Sequence, residues 1–208
     1  MVKVYGPALS VDASGTLANT MVFSKWKGRN YVRSHVNPAQ PRTGAQVGVR
    51  AMFKFLSQQW ALMTSGNKAT WLIKAKQLNV SEFNASTSFN QKRWRNYLCP
   101  TEASPPALIS TTPSAPTLAV TAGIRQLTVA ITHGATAPSW GYLIARYLVT
   151  GGTPAFSNTV AVIPIVAGGN ASYVDTPLVA GVYFYKVTGF NVDAVVGAAS
   201  AEATGTVV

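Results

Sequence analysis

The stretch Tyr173-Val174-Asp175-Thr176-Pro177-Leu178-Val179-Ala180-Gly181-Val182-Tyr183-Phe184-Tyr185-Lys186-Val187-Thr188-Gly189-Phe190-Asn191 decides how the second half of this 208-residue chain is read. Tyr183, Tyr185 and Val187 alternate, so a strand through them places all three on one face. Gly181 supplies the turn that enters that strand. Outward from it lie further short β-type runs: Leu118–Thr121, Gln126–Thr132, Tyr142–Thr150, Val160–Val166 and Ala201–Val207, with Val182–Asn191 among them. Gly, Pro or Asn residues separate them. Leu127, Val129 and Ile131 alternate in the same way. Strands at this spacing predict a β-sandwich of roughly seven short strands.

Upstream, Pro100–Pro116 holds five prolines among Ser and Thr and reads as a semi-extended linker. Before it the periodicity changes. Thr43 is a helix N-cap candidate, and Val49, Met52, Phe53, Leu56, Trp60 and Met63 recur at spacings of three and four. Thr64-Ser65-Gly66-Asn67 breaks that helix and Lys68–Leu78 restarts it, with Trp71 and Ala75 one turn apart. A third helix is predicted over Ser88–Leu98, with Phe89, Trp94 (or Arg93) and Leu98 on its inner face and Asn84-Ala85-Ser86-Thr87 as the loop before it. The first segment reads as β structure. Thr20–Trp26 and Tyr31–Val36 flank the turn signal Lys27-Gly28-Arg29-Asn30, and an earlier strand, Val2–Tyr5, stops at Gly6-Pro7. Residues 37–42 are an extended connector, because the residue before each proline is pushed out of the helical region.

The net charge of +11 is unevenly spread. Residues 1–98 hold 14 Lys/Arg against two acids, a balance of +12, whereas residues 99–208 hold three against four. The first half is therefore expected to seek an anionic partner. No apolar run approaches the ~20 residues that span a bilayer, and Met1–Val11 lacks the apolar core of a secretion signal. One cysteine, Cys99, excludes an intrachain disulfide and reads as a small buried or linker residue. Six acids and two histidines leave few ways to build a general acid–base pair. There is no Cys/His cluster for zinc and no acidic loop for calcium. Gly151-Gly152 and Gly168-Gly169 lack the Lys-Ser/Thr of a phosphate loop and read as turns. Asp175 is expected to be structural, through local hydrogen bonds near a turn. No enzymatic activity and no cofactor are expected.

The C-terminal stretch quoted above resembles the fibronectin type III family, with its aspartate-threonine-x-leucine segment, glycine-led corner and tyrosine-x-tyrosine-x-valine strand. Pro116 and the Leu127/Val129/Ile131 strand fit as well. The departure is the family's early tryptophan, where Thr132-His133 stands here and Trp140 comes later. The resemblance spans about 95 residues and implies a fold and an adhesive or spacer role, not a chemistry. Residues ~15–98 resemble a module that recurs in structural proteins of tailed bacteriophages. The carrying residues are Tyr31-Val32-Arg33, Asn37-Pro38-x-x-Pro41-Arg42-Thr43-x-Ala45-Gln46 and Arg50-Ala51-x-Phe53, followed by Trp60, Leu62, Thr64 and Trp71.

Together these readings predict an α+β chain. A β-hairpin and about three helices (1–98) are followed by a linker (99–116) and an all-β Ig-like, fibronectin type III-like sandwich (117–208). The basic candidates for partner docking are Lys25, Lys27, Arg29, Arg33, Arg42, Arg50, Lys92, Arg93 and Arg95. Three readings of them stay open: a solvated surface, docking to an acidic protein, and nucleic-acid binding through phosphates and nearby aromatics. Docking is preferred, because the tryptophans fall at core-like spacing and a separate sandwich is appended. The resemblances imply a non-enzymatic virion protein, made in the host cytoplasm and present in multiple copies or as a homo-oligomer. Its partners would be phage capsid, portal or tail proteins, with a weak glycan contact by the C-terminal domain possible and no membrane. Nucleic acid is the second choice of partner. An accessory module of a carbohydrate-active enzyme is disfavoured, since no catalytic partner is encoded.

Overall fold

The computed structural model describes residues 2–3, 14–18, 20–26, 28–37, 42–106, 111–166 and 168–208. Of the sequence readings, Val4–Pro7, Lys27, the Pro38–Pro41 part of the connector and residues 107–110 of the linker lie outside these residues. The described chain forms two compact units, residues 1–41 and 42–208.

The first unit is a four-stranded antiparallel sheet of β1 (Val2–Lys3), β2 (Gly15–Leu17), β3 (Met21–Trp26) and β4 (Arg29–Ser34), in the order β1-β4-β3-β2. The expected hairpin is β3–β4. Its loop is shorter than the four-residue turn signal, because Arg29 and Asn30 pair with Trp26 and Lys25 inside the ladder. Gly28 takes φ +76 there, a conformation open to glycine at no steric cost.

The second unit joins helices and sandwich in one body, and here the division of the chain differs from the expected one. Helices α1 (Gly44–Leu62), α2 (Ser65–Ala69), α3 (Leu72–Leu78) and α4 (Glu82–Arg95) precede strands β5 (Thr117–Gly123), β6 (Gln126–Thr132), β7 (Gly141–Tyr147), β8 (Thr159–Pro164), β9 (Ala171–Asp175), β10 (Gly181–Phe190), β11 (Val196–Ala199) and β12 (Ala203–Val207). One sheet is β5-β6-β9. The other runs β11-β10-β7-β8, and β12 pairs with the first half of β10.

Between the sheets lies the expected alternating core. Leu127, Val129 and Ile131 meet Tyr142, Ile144, Tyr183, Tyr185 and Val187, all buried. A second core forms on the outer face of the larger sheet. Met52, Phe55 and Leu56 of α1 and Trp94 of α4 pack with Trp140, Leu143, Val162 and Phe190. Phe55 stands edge-on to Trp140 (centroids 5.2 Å) and to Phe190 (5.5 Å), and Trp140 Nε1 donates to Gln59 Oε1 at 3.1 Å. Trp140, which departs from the family pattern in sequence, thus serves the joint between sheet and helix.

The start of α1 follows the Thr43 reading: Thr43 Oγ1 accepts from the Gln46 N–H at 3.4 Å. Its buried face differs. Phe55 is buried and Phe53 is half exposed, because Gly48, Met52, Phe55 and Leu56 make the line that faces the sheet. Gly48 brings the helix against a backbone carbonyl: a Cβ there would lie 2.8 Å from Phe156 O, and one on Gly44 would overlap Ser157 O. Alanine normally gains about 1 kcal/mol over glycine in a helix interior, but overpacking against a carbonyl that cannot move costs about 1–3 kcal/mol. Gly44→Ala and Gly48→Ala are therefore expected to lower the melting temperature, with Gly44→Ala the worse of the two. A rise on either substitution would contradict this close approach.

α4 starts six residues earlier than predicted. Ser81 Oγ accepts from the Asn84 N–H at 3.3 Å, so residues 84–87 are helix and not loop. Its buried face is Ala85, Ser86, Asn90 and Trp94, too polar to register as an apolar stripe, and Leu98 is half exposed beyond its end. Trp71 and Ala75, one turn apart in sequence, are both buried. The first part of the proline-rich stretch is fastened down. Asn90 exchanges two hydrogen bonds with the Thr101 backbone (3.0 and 2.9 Å). Trp71 Nε1 donates to Glu102 O at 2.8 Å, and the Glu102 N–H donates to Val192 O at 2.8 Å. Asn191 Nδ2 reaches Thr111 O at 2.9 Å. Residues 99–106 are thus part of the body and not a hinge between two domains.

Candidate docking surface

The nine basic candidates separate into distinct settings. On the first unit's sheet, register decides. Cross-strand partners share a face, so Trp26, Arg29, Tyr31, Arg33, Val22 and Ser24 lie on one side. Lys25 lies on the other with Asn30, Phe23 and Val32. Lys25 is thereby parted from Arg29 and Arg33, with which the sequence grouped it. Trp26 is 64% exposed and Arg29 and Arg33 are exposed. Lys27 is outside the described residues.

In the second unit Arg93 is largely structural. Its Nε donates to Cys99 O at 2.9 Å, closing the chain after α4, and its guanidinium lies 6.0 Å from the Phe89 ring. Lys92 is exposed beside it in the last turn of α4. There the three cations Lys92, Arg93 and Arg95 also complement the helix dipole. Arg42 is exposed just ahead of the Thr43 cap with φ +49. It lines a recess of about 240 Å³ with Arg146, Val47 and Asn158.

Arg50 and Arg95 come together although 45 positions separate them. They line one groove of about 410 Å³ between the start of α1 and the end of α4, with Ala45, Gln46, Val49 and Phe156 as its walls. The two helices are locked there by Trp94 Nε1 donating to Gly48 O (3.0 Å) and Gln91 Nε2 donating to Val49 O (3.2 Å). Phe156 is braced edge-on by Trp94 at 5.6 Å. Arg50, Lys54, Lys92 and Arg95 are exposed, and none makes an ion pair among the described residues. Charge alone picked out Arg50 and Arg95. The Phe156 wall left no sequence signal, because it sits in a short 3-10 turn far along the chain.

The groups that could carry chemistry are engaged elsewhere. Arg146 Nη1 on β7 donates to both carboxylate oxygens of Asp175 on β9 (3.0 and 2.9 Å), and Tyr185 OH on β10 donates to Asp175 Oδ2 at 2.8 Å. Asp175 is structural, as expected, but as a clamp between the two sheets and not as a local turn contact. Burial, reinforced by the Asp175 charge, pushes the Tyr173 hydroxyl up to about 12. Burial likewise pushes the Cys99 thiol up to about 12, only partly offset by Arg93. Cys99 is therefore expected to resist iodoacetamide at pH 8 in the native protein and to react on unfolding. Because the folded-state value is raised, the unfolded chain loses its thiol proton first. Stability is then full below about 9 and falls as pH rises towards 12. Fast alkylation of the native protein at pH 8 would contradict this burial. No group of three or more His, Cys, Asp or Glu that could hold a metal occurs among the described residues, and no described helix is long and apolar enough to cross a membrane.

No family model matches the chain, and no curated protein does. Among solved structures it is similar to a Fn3-like protein from Clostridium thermocellum (20% identity, 45% of this chain and 88% of that one, TM-score 0.31). It is also similar to the PKD domain of an M14-like peptidase from Thermoplasmatales archaeon SCGC AB-540-F20 (13% identity, 48% and 98%, TM-score 0.30). A third is a β-1,2-glucanase from Parabacteroides distasonis (23% identity, TM-score 0.39). That alignment takes in 49% of this chain, which spans only 14% of the glucanase. The C-terminal sandwich is fibronectin type III-like. Its three-stranded sheet faces a larger one built on β7 and β10, the two-layer plan of that architecture. What this fibronectin type III-like sandwich adds is the helical layer packed on its outer face.

Proposed function

We propose that this protein is a non-enzymatic structural component of a tailed-phage particle, either an accessory capsid protein (decoration or head fibre) or a head–tail or neck component. The basic part holds the particle, and the fibronectin type III-like sandwich is displayed. The observation that carries this reading is the convergence of Arg50 and Arg95 on one groove, beside further exposed cations of the helical layer. The sequence pattern of residues ~15–98 supplies the particle. A displayed sandwich would make weak contacts, with glycans or with neighbouring copies. Mass spectrometry of purified virions tests the reading. The chain should be present at a copy number set by capsid or neck symmetry, and its absence from virions would sink the proposal.

A second reading, nucleic-acid binding, is favoured by the single sheet face that carries Trp26, Arg29, Tyr31 and Arg33. It predicts retention on single-stranded DNA with a steep salt dependence, reduced by roughly 0.7 in log–log slope for each arginine removed. Loss of particle incorporation in Arg50→Glu/Arg95→Glu, with DNA retention unchanged, would decide for protein docking.

A further inference from the structure

We propose that the groove between α1 and α4 receives a short acidic segment of a partner protein, one that carries an apolar side chain beside its carboxylates. This rests on the docking reading of the basic half and gives it a location. The walls Ala45, Val49 and Phe156 are apolar, and the charged groups lining the groove are the guanidinium groups of Arg50 and Arg95. Among the described residues no acid lines it, so the charge they present is uncompensated from within. A planar guanidinium fork matches a carboxylate bidentately. An apolar trough between two such forks favours a peptide that offers a hydrophobic side chain between acids.

The site is also pre-formed. The bonds from Trp94 to Gly48 O and from Gln91 to Val49 O fix the two helices, so little ordering is left to be done on binding. Nucleic acid fits less well. Sequence-tolerant strand binding uses aromatic faces on which bases stack, whereas Phe156, the one ring lining the groove among the described residues, is already engaged in a T-shaped contact with Trp94. The first turn of α1 carries no acidic residue, so the positive end of its dipole adds in the same sense.

Fluorescence anisotropy of the full chain tests this with three labelled probes: the hexapeptide Glu-Asp-Phe-Glu-Asp-Leu, hexaglutamate and hexathymidylate. The mixed hexapeptide should bind about tenfold more tightly than hexaglutamate, through burial of its apolar side chains. Arg50→Ala/Arg95→Ala should weaken it by about a hundredfold, roughly tenfold for each guanidinium–carboxylate pairing removed. Both arginines are exposed, so the melting temperature of the double variant should stay at the parent value. Lys76→Ala, on the exposed surface of α3, should leave binding unchanged. Equal binding of hexaglutamate or hexathymidylate, or an unweakened double variant, would overturn the inference. The virion reading fails separately. Groove-dependent peptide binding by a chain that is absent from particles keeps this inference and removes that reading. Incorporation that depends on Arg50 and Arg95 without peptide binding does the reverse.

Discussion

Phe55→Ala will destabilise residues 42–208 as a whole, by about 3–5 kcal/mol. The ring is fully buried between Trp140 and Phe190. Gly141 leaves the space it fills, since a Cβ there would lie 3.1 Å from the Phe55 ring. Truncation takes the ring away from both aromatic neighbours and opens a cavity between helix and sheet. For a body of this size, each kcal/mol shifts the midpoint by roughly 2–4 °C, so the melt should fall by roughly 6–20 °C. The shift should appear equally in helical and in sandwich signals. Two domains joined by a free linker would behave differently: the sandwich would melt where it did before.

Asp175→Ala is expected to cost about as much, roughly 3–5 kcal/mol, for a different reason. Asp175 is buried and receives Arg146 and Tyr185 from the opposite sheet. Removal leaves a partly buried guanidinium without its counter-charge and a buried hydroxyl without its acceptor. The pair itself contributes little, because desolvation offsets its attraction, so the loss comes from stranding Arg146. A double substitution, Asp175→Ala with Arg146→Met, should therefore recover part of the loss. If the double variant is as unstable as the two single losses added together, the clamp is not a coupled pair. Thermal or urea unfolding of the four proteins gives the comparison.

The parts of the fold legible in the sequence are those where a single face is buried. Leu127, Val129 and Ile131 alternate because the other face of β6 is more open to solvent, and the period of two reports it. On β10 the inward Tyr183, Tyr185 and Val187 alternate with the half-buried Phe184 and Lys186, until Phe190 joins the second core. The joint between helix and sheet escaped, although one signal for it was present. Tyr142-Leu143-Ile144-Ala145 is a continuous apolar run, the pattern of a strand covered on both faces, and α1 is the cover. On the helices the signal is faint. Ala85, Ser86 and Asn90 bury a face with little hydrophobicity, and glycines at 44 and 48 carry no apolar weight at all. The proline-rich stretch was read for its extended backbone, and composition is blind to the hydrogen bonds that Trp71, Asn90 and Asn191 make to it.

The candidate surface was legible residue by residue but not as a site. Charge picked out Arg50 and Arg95, and only the packing of α4 on α1 through Trp94 brings them together. The Lys25–Arg29–Arg33 grouping failed on parity. Trp26 pairs with Arg29, so an odd-numbered residue on one strand shares its face with an even-numbered residue on the other.

Hydrogen exchange followed by mass spectrometry tests most directly whether the basic helices and the fibronectin type III-like sandwich are one body. The shared core of Met52, Phe55, Trp94, Trp140 and Phe190 predicts that the central amides of α1 and those of β7 and β10 open together, with the same free energy. Exchange of the α1 amides orders of magnitude faster than those of β7 and β10 would contradict it.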